Sequence, residues 1–179
     1  MQNQAAGTGQ AGQKASGTES VVAIVVNRII VGDALDIVGR EGGVLLHQVN
    51  CIRAAGAGIA LQIRQRWPAW YEAYRNDDRK LGDATIFRCQ SWPAAWVGNL
   101  YAQFTVGRGS QQTAYDALRQ ALVAMSETLD NSTIGAQVYV PFGLGSGLGG
   151  GDWSMVARIV SETMPDALIV RLPDGVRRK

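Results

Sequence analysis

With 179 residues, the chain has room for one domain with a substantial core. Apolar residues make up 46% and charged residues 18%, and the net charge is only +2, so charge implies no general affinity for nucleic acid or for a membrane surface. The two cysteines, Cys51 and Cys89, form neither a disulfide framework nor a metal-ligand spacing. No apolar stretch is long enough to span a bilayer, and no signal-peptide pattern opens the chain. A cytoplasmic protein without metal or cofactor is expected.

Residues 1–19 are Gln, Ala, Gly, Ser and Thr with almost no apolar bulk. Such a stretch cannot bury enough surface to offset its ordering entropy, and is expected to be a disordered tail. The domain proper is expected over residues 20–174, with a basic tail at 175–179. Val21 to Val31 reads as a buried strand or two short ones, stopped by Gly32-Asp33. Asp33 either caps a turn or serves as an acceptor at a sheet edge. Asp36 to Gly43 reads as a short polar or helical link.

Val44 to Val49, VLLHQV, is a second strand ended by Asn50. His47 is the only histidine. Two roles are open to it: a hydrogen-bonded structural residue, or an acid–base group three residues from Asn50. A small-residue loop, Ala54 to Gly58, then runs into a helical stretch, Ile59 to Trp67. Pro68 marks a break or a new first turn. In the following helix Trp70, Tyr71 and Tyr74 read as core packing rather than a stacking platform.

ATIF within Leu81 to Arg88 and AWVGNLYAQ over Ala95 to Gln103 are further strands, separated by a turn at Trp92-Pro93. Phe104 to Gly109 is a loop in which Arg108 is either a phosphate contact or a solvated charge. Tyr115, Leu118, Leu122, Met125 and Leu129 recur at helical spacing, which predicts an amphipathic helix over Thr113 to Leu129.

Gln137 to Pro141 is a strand leading into PFGLGSGLGGGDW, in which six of the nine residues from Gly143 to Gly151 are glycine. Asp152 is placed to cap the next helix, Trp153 to Met164. Strand, glycine loop and helix N-terminus together make an anion-binding arrangement. No Gly-Lys-Ser/Thr follows, so it is not a Walker loop. A last strand spans Ala167 to Leu172. Strands alternating with helices predict an α/β domain with helices on both faces of a largely parallel sheet. Its centre is expected at Leu45–Val49, Trp96–Ala102, Val138–Val140 and Ile169–Leu172. Both glycine loops then follow strands and can face one diphosphate.

Gly32-Asp33-Ala34, HQVNCIRAAGAGIA, NLYAQ…GRG…YDALRQAL and PFGLGSGLGGGDW, in that order, resemble a macro domain. The resemblance covers nearly all of residues 21–172, and its later blocks look most like the ADP-ribose-1''-phosphate phosphatase branch. It implies a three-layer α/β/α sandwich with a mixed, mostly parallel sheet, and ADP-ribose or a derivative as ligand. It implies that Asp33, followed by Ala34, accepts from the adenine amino group, and that Asn50 contacts the distal ribose. Gly56, Ala57, Gly58 and Ile59 match a first phosphate-contacting loop. Gly145, Ser146, Gly147, Leu148 and Gly149 match a second. His47 stands where the phosphatase branch carries a histidine.

The resemblance therefore implies a phosphatase releasing phosphate from ADP-ribose 1''-phosphate, with His47 as acid, base or nucleophile and Asn50 positioning the ribose. A non-catalytic ADP-ribose reader, and a hydrolase freeing ADP-ribosyl groups from protein or nucleic acid, share the same binding residues. The lysine of a related hydrolase branch falls near Val106 or Gly107 here, and its loop aspartate is replaced by Gly149. Neither replacement can do that chemistry.

Overall fold

A computed structural model describes residues 28–107 and 110–176. The expected tail at 1–19, the first part of the expected strand at 21–27, Arg108 and the terminal Arg177 to Lys179 lie outside the described residues.

Six strands form one sheet: β1 (Ile29–Val31), β2 (Gly43–Asn50), β3 (Ala84–Arg88), β4 (Ala95–Gln103), β5 (Val138–Pro141) and β6 (Leu168–Arg171). The order is β1-β6-β5-β2-β4-β3, every pairing parallel except that of β3 with β4. The four strands expected at the centre are the four inner ones. β2 shows why: nearly every residue of GVLLHQVN is buried, as a strand covered on both faces requires.

Helices α1 (Ala34–Glu41), α2 (Gly58–Arg66) and α3 (Pro68–Arg75) cover one face, and α4 (Tyr115–Asp130) and α5 (Trp153–Thr163) the other. Where the sequence suggests a short polar or helical link at Asp36 to Gly43, α1 is an amphipathic helix that begins at Ala34 and buries Ala34, Leu35, Ile37 and Val38. The Asp33 carboxylate starts it, accepting from Leu35 N at 2.9 Å and Asp36 N at 3.4 Å. Pro68 opens α3 at its first turn, where a missing N–H costs nothing. Trp70 and Tyr74, one turn apart on α3, are both fully enclosed, and their rings stack 5.2 Å apart. On the other face Leu118, Leu122 and Met125 of α4 are equally enclosed, each contributing about 1.5–3 kcal/mol by burial.

Candidate functional site

Because the five parallel strands run the same way, the segments after them meet at one edge. These are Gly32-Asp33 after β1, residues 51–57 after β2, residues 104–107 and 110–114 after β4 and residues 142–152 after β5. From β2 to β1 the sheet crosses three strand spacings, about 14 Å at about 4.8 Å each, so the edge suits an elongated ligand.

The first loop is braced before any ligand arrives. Asn50 Nδ2 donates to Ala54 O at 2.8 Å, and Ala54 N donates back to Asn50 Oδ1 at 2.8 Å. The Tyr74 hydroxyl donates to Asn50 O at 2.6 Å and accepts from Asn50 N at 3.2 Å. Burial pushes that hydroxyl well above the ordinary tyrosine range, so it stays protonated. Arg53 adopts φ +61°, and its guanidinium bonds Asp77 O, Cys51 O and the Asp78 carboxylate. The loop then delivers the chain to α2, whose N-cap Ala57 makes no side-chain cap bond. Among the described residues, the N–H groups of Gly58, Ile59 and Ala60 find no acceptor in the protein. An uncapped helix N-terminus of this kind attracts an anion.

In the second loop, α5 cannot play that part. Asp152 Oδ1 accepts from Ser154 N at 2.7 Å and Ser154 Oγ at 2.6 Å, which holds its carboxyl below the usual range. The positive end of α5 thus already faces a carboxylate of its own chain. What the loop offers is backbone: the N–H groups of Gly147, Leu148 and Gly149 have no acceptor among the described residues.

Its glycines fall into two groups. Gly145 has φ +69°, and a Cβ there would lie 2.6 Å from Gln48 Oε1. A Cβ on Gly149 would lie 2.5 Å from Gly145 O and 2.6 Å from Thr113 Oγ1. The protein's own packing requires those glycines, where the sequence reading attributes them to the ligand. Gly147, and Gly56 in the first loop, differ: neither has positive φ, and a Cβ on either would meet nothing within 4 Å. The loops themselves approach each other at Leu148, whose Cδ1 lies 3.6 Å from the Cβ position of Gly58. Leu148 is 58% exposed.

His47 is elsewhere. It lies in the middle of β2, completely buried, with its ring edge-on to Trp70 at 5.2 Å. Trp70 Nε1 and His47 Nε2 both lie 2.9 Å from Asn99 Oδ1. Since the indole can only donate, Oδ1 is the acceptor and His47 carries its proton on Nε2. Nδ1 has no partner among the described residues. Burial lowers the pKa to about 4, against the raising effect of the Asn99 bond, so the ring is neutral at physiological pH. The expected catalytic role of His47 gains no support from this geometry: no atom of the ring is exposed at the strand ends.

The fold brings Asn50, Gly56 to Ile59 and Gly145 to Gly149 to one edge, with Asp33 and Ala34 at the end of β1 on the same edge. The Asn50 side chain, expected to contact a ligand, is bonded to Ala54. The sequence does not announce the parts that Gln48, Arg53, Tyr74, Gln103 and Thr113 play in positioning the loops. Of these only Thr113 carried a signal, a hydroxyl at a helix start; that hydroxyl goes instead to Gly145 O, at 2.7 Å. A cleft of about 410 Å³, lined by Leu129, Asp130, Gln137, Met164 and Asp166 among others, lies at the opposite edge of the sheet and shares no residue with either loop. Among the described residues no helix is long and apolar enough to cross a membrane.

No protein-family model and no curated protein matches the chain. Solved structures do. A Bacteroides thetaiotaomicron protein of unknown function is 28% identical, with a TM-score of 0.66 over 81% of this chain and 96% of its own. The macrodomain of Mycobacterium tuberculosis DarG is 26% identical, with a TM-score of 0.63 over 82% of this chain and 98% of its own. Thermosipho africanus DarTG in complex with ADP-ribose is 18% identical, with a TM-score of 0.68 over 85% of this chain and 43% of that longer one; this likeness is one of fold. The chain has the macrodomain fold.

Proposed function

We propose that this protein is an ADP-ribose-binding member of the macrodomain family, its ligand lying across the strand ends with the diphosphate between the two glycine loops. The observation that carries the reading is the pair Gly56 and Gly147. Each lacks a side chain that its own backbone and neighbours would accommodate, and each lies beside unpaired amides. A ligand approaching the main chain closely explains both. The free amides of α2 and of Gly147 to Gly149 hold the diphosphate, and Asp33 takes the adenine amino group. Asn50 keeps one Nδ2 hydrogen for the ribose while it clamps the first loop. The ADP-ribose bound by Thermosipho africanus DarTG, on the same fold, supports the ligand class.

Binding is better supported than hydrolysis. The phosphatase reading drew its acid–base group from His47, which is walled into the core. The protein is therefore read as a binder of ADP-ribose and of macromolecules that carry it, with cleavage of ADP-ribose 1''-phosphate or of ADP-ribosyl linkages as the alternative. Calorimetric titration with ADP-ribose tests the first. Product analysis with ADP-ribose 1''-phosphate, ADP-ribosylated protein and ADP-ribosylated nucleic acid tests the second. Saturable binding without turnover is the expected result. Absence of binding removes the reading, and phosphate release unaffected by His47→Gln would assign hydrolysis to another group.

A further inference from the structure

The second glycine loop owes its path to a side chain outside it. Thr113 is 2% exposed, between β4 and α4, and the loop is wound around it. Its hydroxyl donates to Gly145 O at 2.7 Å and accepts from Gln48 Nε2 at 2.9 Å. Its backbone N–H donates to Gly149 O at 3.0 Å, beside that of Gln112 at 2.8 Å. Its methyl carbon lies 3.3 Å from the Cβ position of Gly145 and 3.2 Å from that of Gly151. Gln48 Nε2 also donates to Gln103 Oε1 at 2.7 Å, and Gln103 Nε2 donates to Thr105 O at 2.9 Å. A chain of side-chain hydrogen bonds thus crosses the strand ends from the segment after β4 to the glycine loop.

A loop this rich in glycine has high conformational entropy when free, which contacts from outside it must offset. Gly151 N donates to Gly145 O at 2.9 Å, so the carbonyl that Thr113 holds also closes the loop. We propose that Thr113 is the positioning residue of the ligand cradle: its hydroxyl sets the loop path that leaves the amides of Gly147 to Gly149 unpaired. Its link to affinity rests on the ADP-ribose reading above; its control of the loop does not. Valine has threonine's shape without the donor for Gly145 O or the acceptor for Gln48. Serine keeps both and drops the methyl.

Amide hydrogen exchange and ADP-ribose calorimetry on wild type, Thr113→Val and Thr113→Ser separate these effects, with thermal melting as the check on folding. For Thr113→Val, Gly151 exchange should quicken about tenfold while β6 amides stay protected, and affinity should fall about tenfold; Thr113→Ser should restore both to within about threefold. Should Thr113→Val not fold, Gln48→Leu, which removes the group orienting the hydroxyl, carries the same expectation. Equal behaviour of the valine and serine variants overturns the proposal, as does quickened exchange with unchanged affinity. A wild type that binds no ADP-ribose overturns the functional reading, while the exchange comparison still decides whether Thr113 sets the loop.

Discussion

His47 donates its Nε2 proton to Asn99 Oδ1 at 2.9 Å, across the pairing of β2 with β4, in the interior of the sheet. The bond places the histidine in the core's polar network with Trp70 and Thr85, since Asn99 Nδ2 donates to Thr85 Oγ1 at 3.2 Å. Its consequence is a pH dependence of stability. The folded pKa of about 4 lies below the ordinary 6.5, so between those values the unfolded chain binds a proton that the folded protein refuses. Stability is then full above the unfolded value and is lost as pH falls from about 6.5 to about 4, by about 3 kcal/mol in all. Urea unfolding at a series of pH values should show this slope in wild type and a flatter one in His47→Gln, whose amide can still donate to Asn99. Equal slopes would remove the assignment.

The two open glycines separate folding from binding. Gly56→Ala and Gly147→Ala should unfold within about 0.5 kcal/mol of wild type, because a Cβ at either position meets nothing within 4 Å. Both should lose most ADP-ribose affinity. Gly149→Ala should instead lower stability by about 1–3 kcal/mol, since its Cβ meets Gly145 O and Thr113. Melting curves and calorimetry on the three variants check the contrast.

Asp33 combines a structural and a proposed binding role, and two substitutions divide them. Asp33→Ala removes the cap of α1 and should cost about 1 kcal/mol of stability, besides weakening ADP-ribose binding by about 1–3 kcal/mol. Asp33→Asn keeps a capping oxygen, so it should melt near wild type and still bind more weakly. An asparagine variant with wild-type affinity would argue against the adenine contact.

Tyr74 holds the peptide groups of Asn50 from the core side. Tyr74→Phe removes the hydroxyl bonded to the buried N–H and carbonyl of Asn50, the carbonyl keeping only Arg53 N at 3.3 Å, which should cost about 1–3 kcal/mol of stability. Urea denaturation measures it.

Much of this protein was legible one-dimensionally. Val44 to Val49, Ala95 to Gln103 and the apolar recurrence from Tyr115 to Leu129 announced their elements because strand and helix periods are local properties of the chain. Their alternation implied a mostly parallel sheet, and with it the convergence of the segments after the strands at one edge. Both glycine loops were legible for the same reason.

Tertiary structure alone decided which residue does what within that arrangement. Whether His47 faced the strand ends or the core depended on neighbours distant in sequence, Asn99 on β4 and Trp70 on α3, which placed it in the core. Asn50 braces the first loop through hydrogen bonds to Ala54 that composition does not encode. Glycines alike in sequence divided into those required by Thr113 and Gln48 and those facing open space. Sequence determined the elements and the edge because they follow from local periodicity and connection. Packing between distant segments decided the chemistry, because burial and hydrogen-bond partners exist only once the chain has closed.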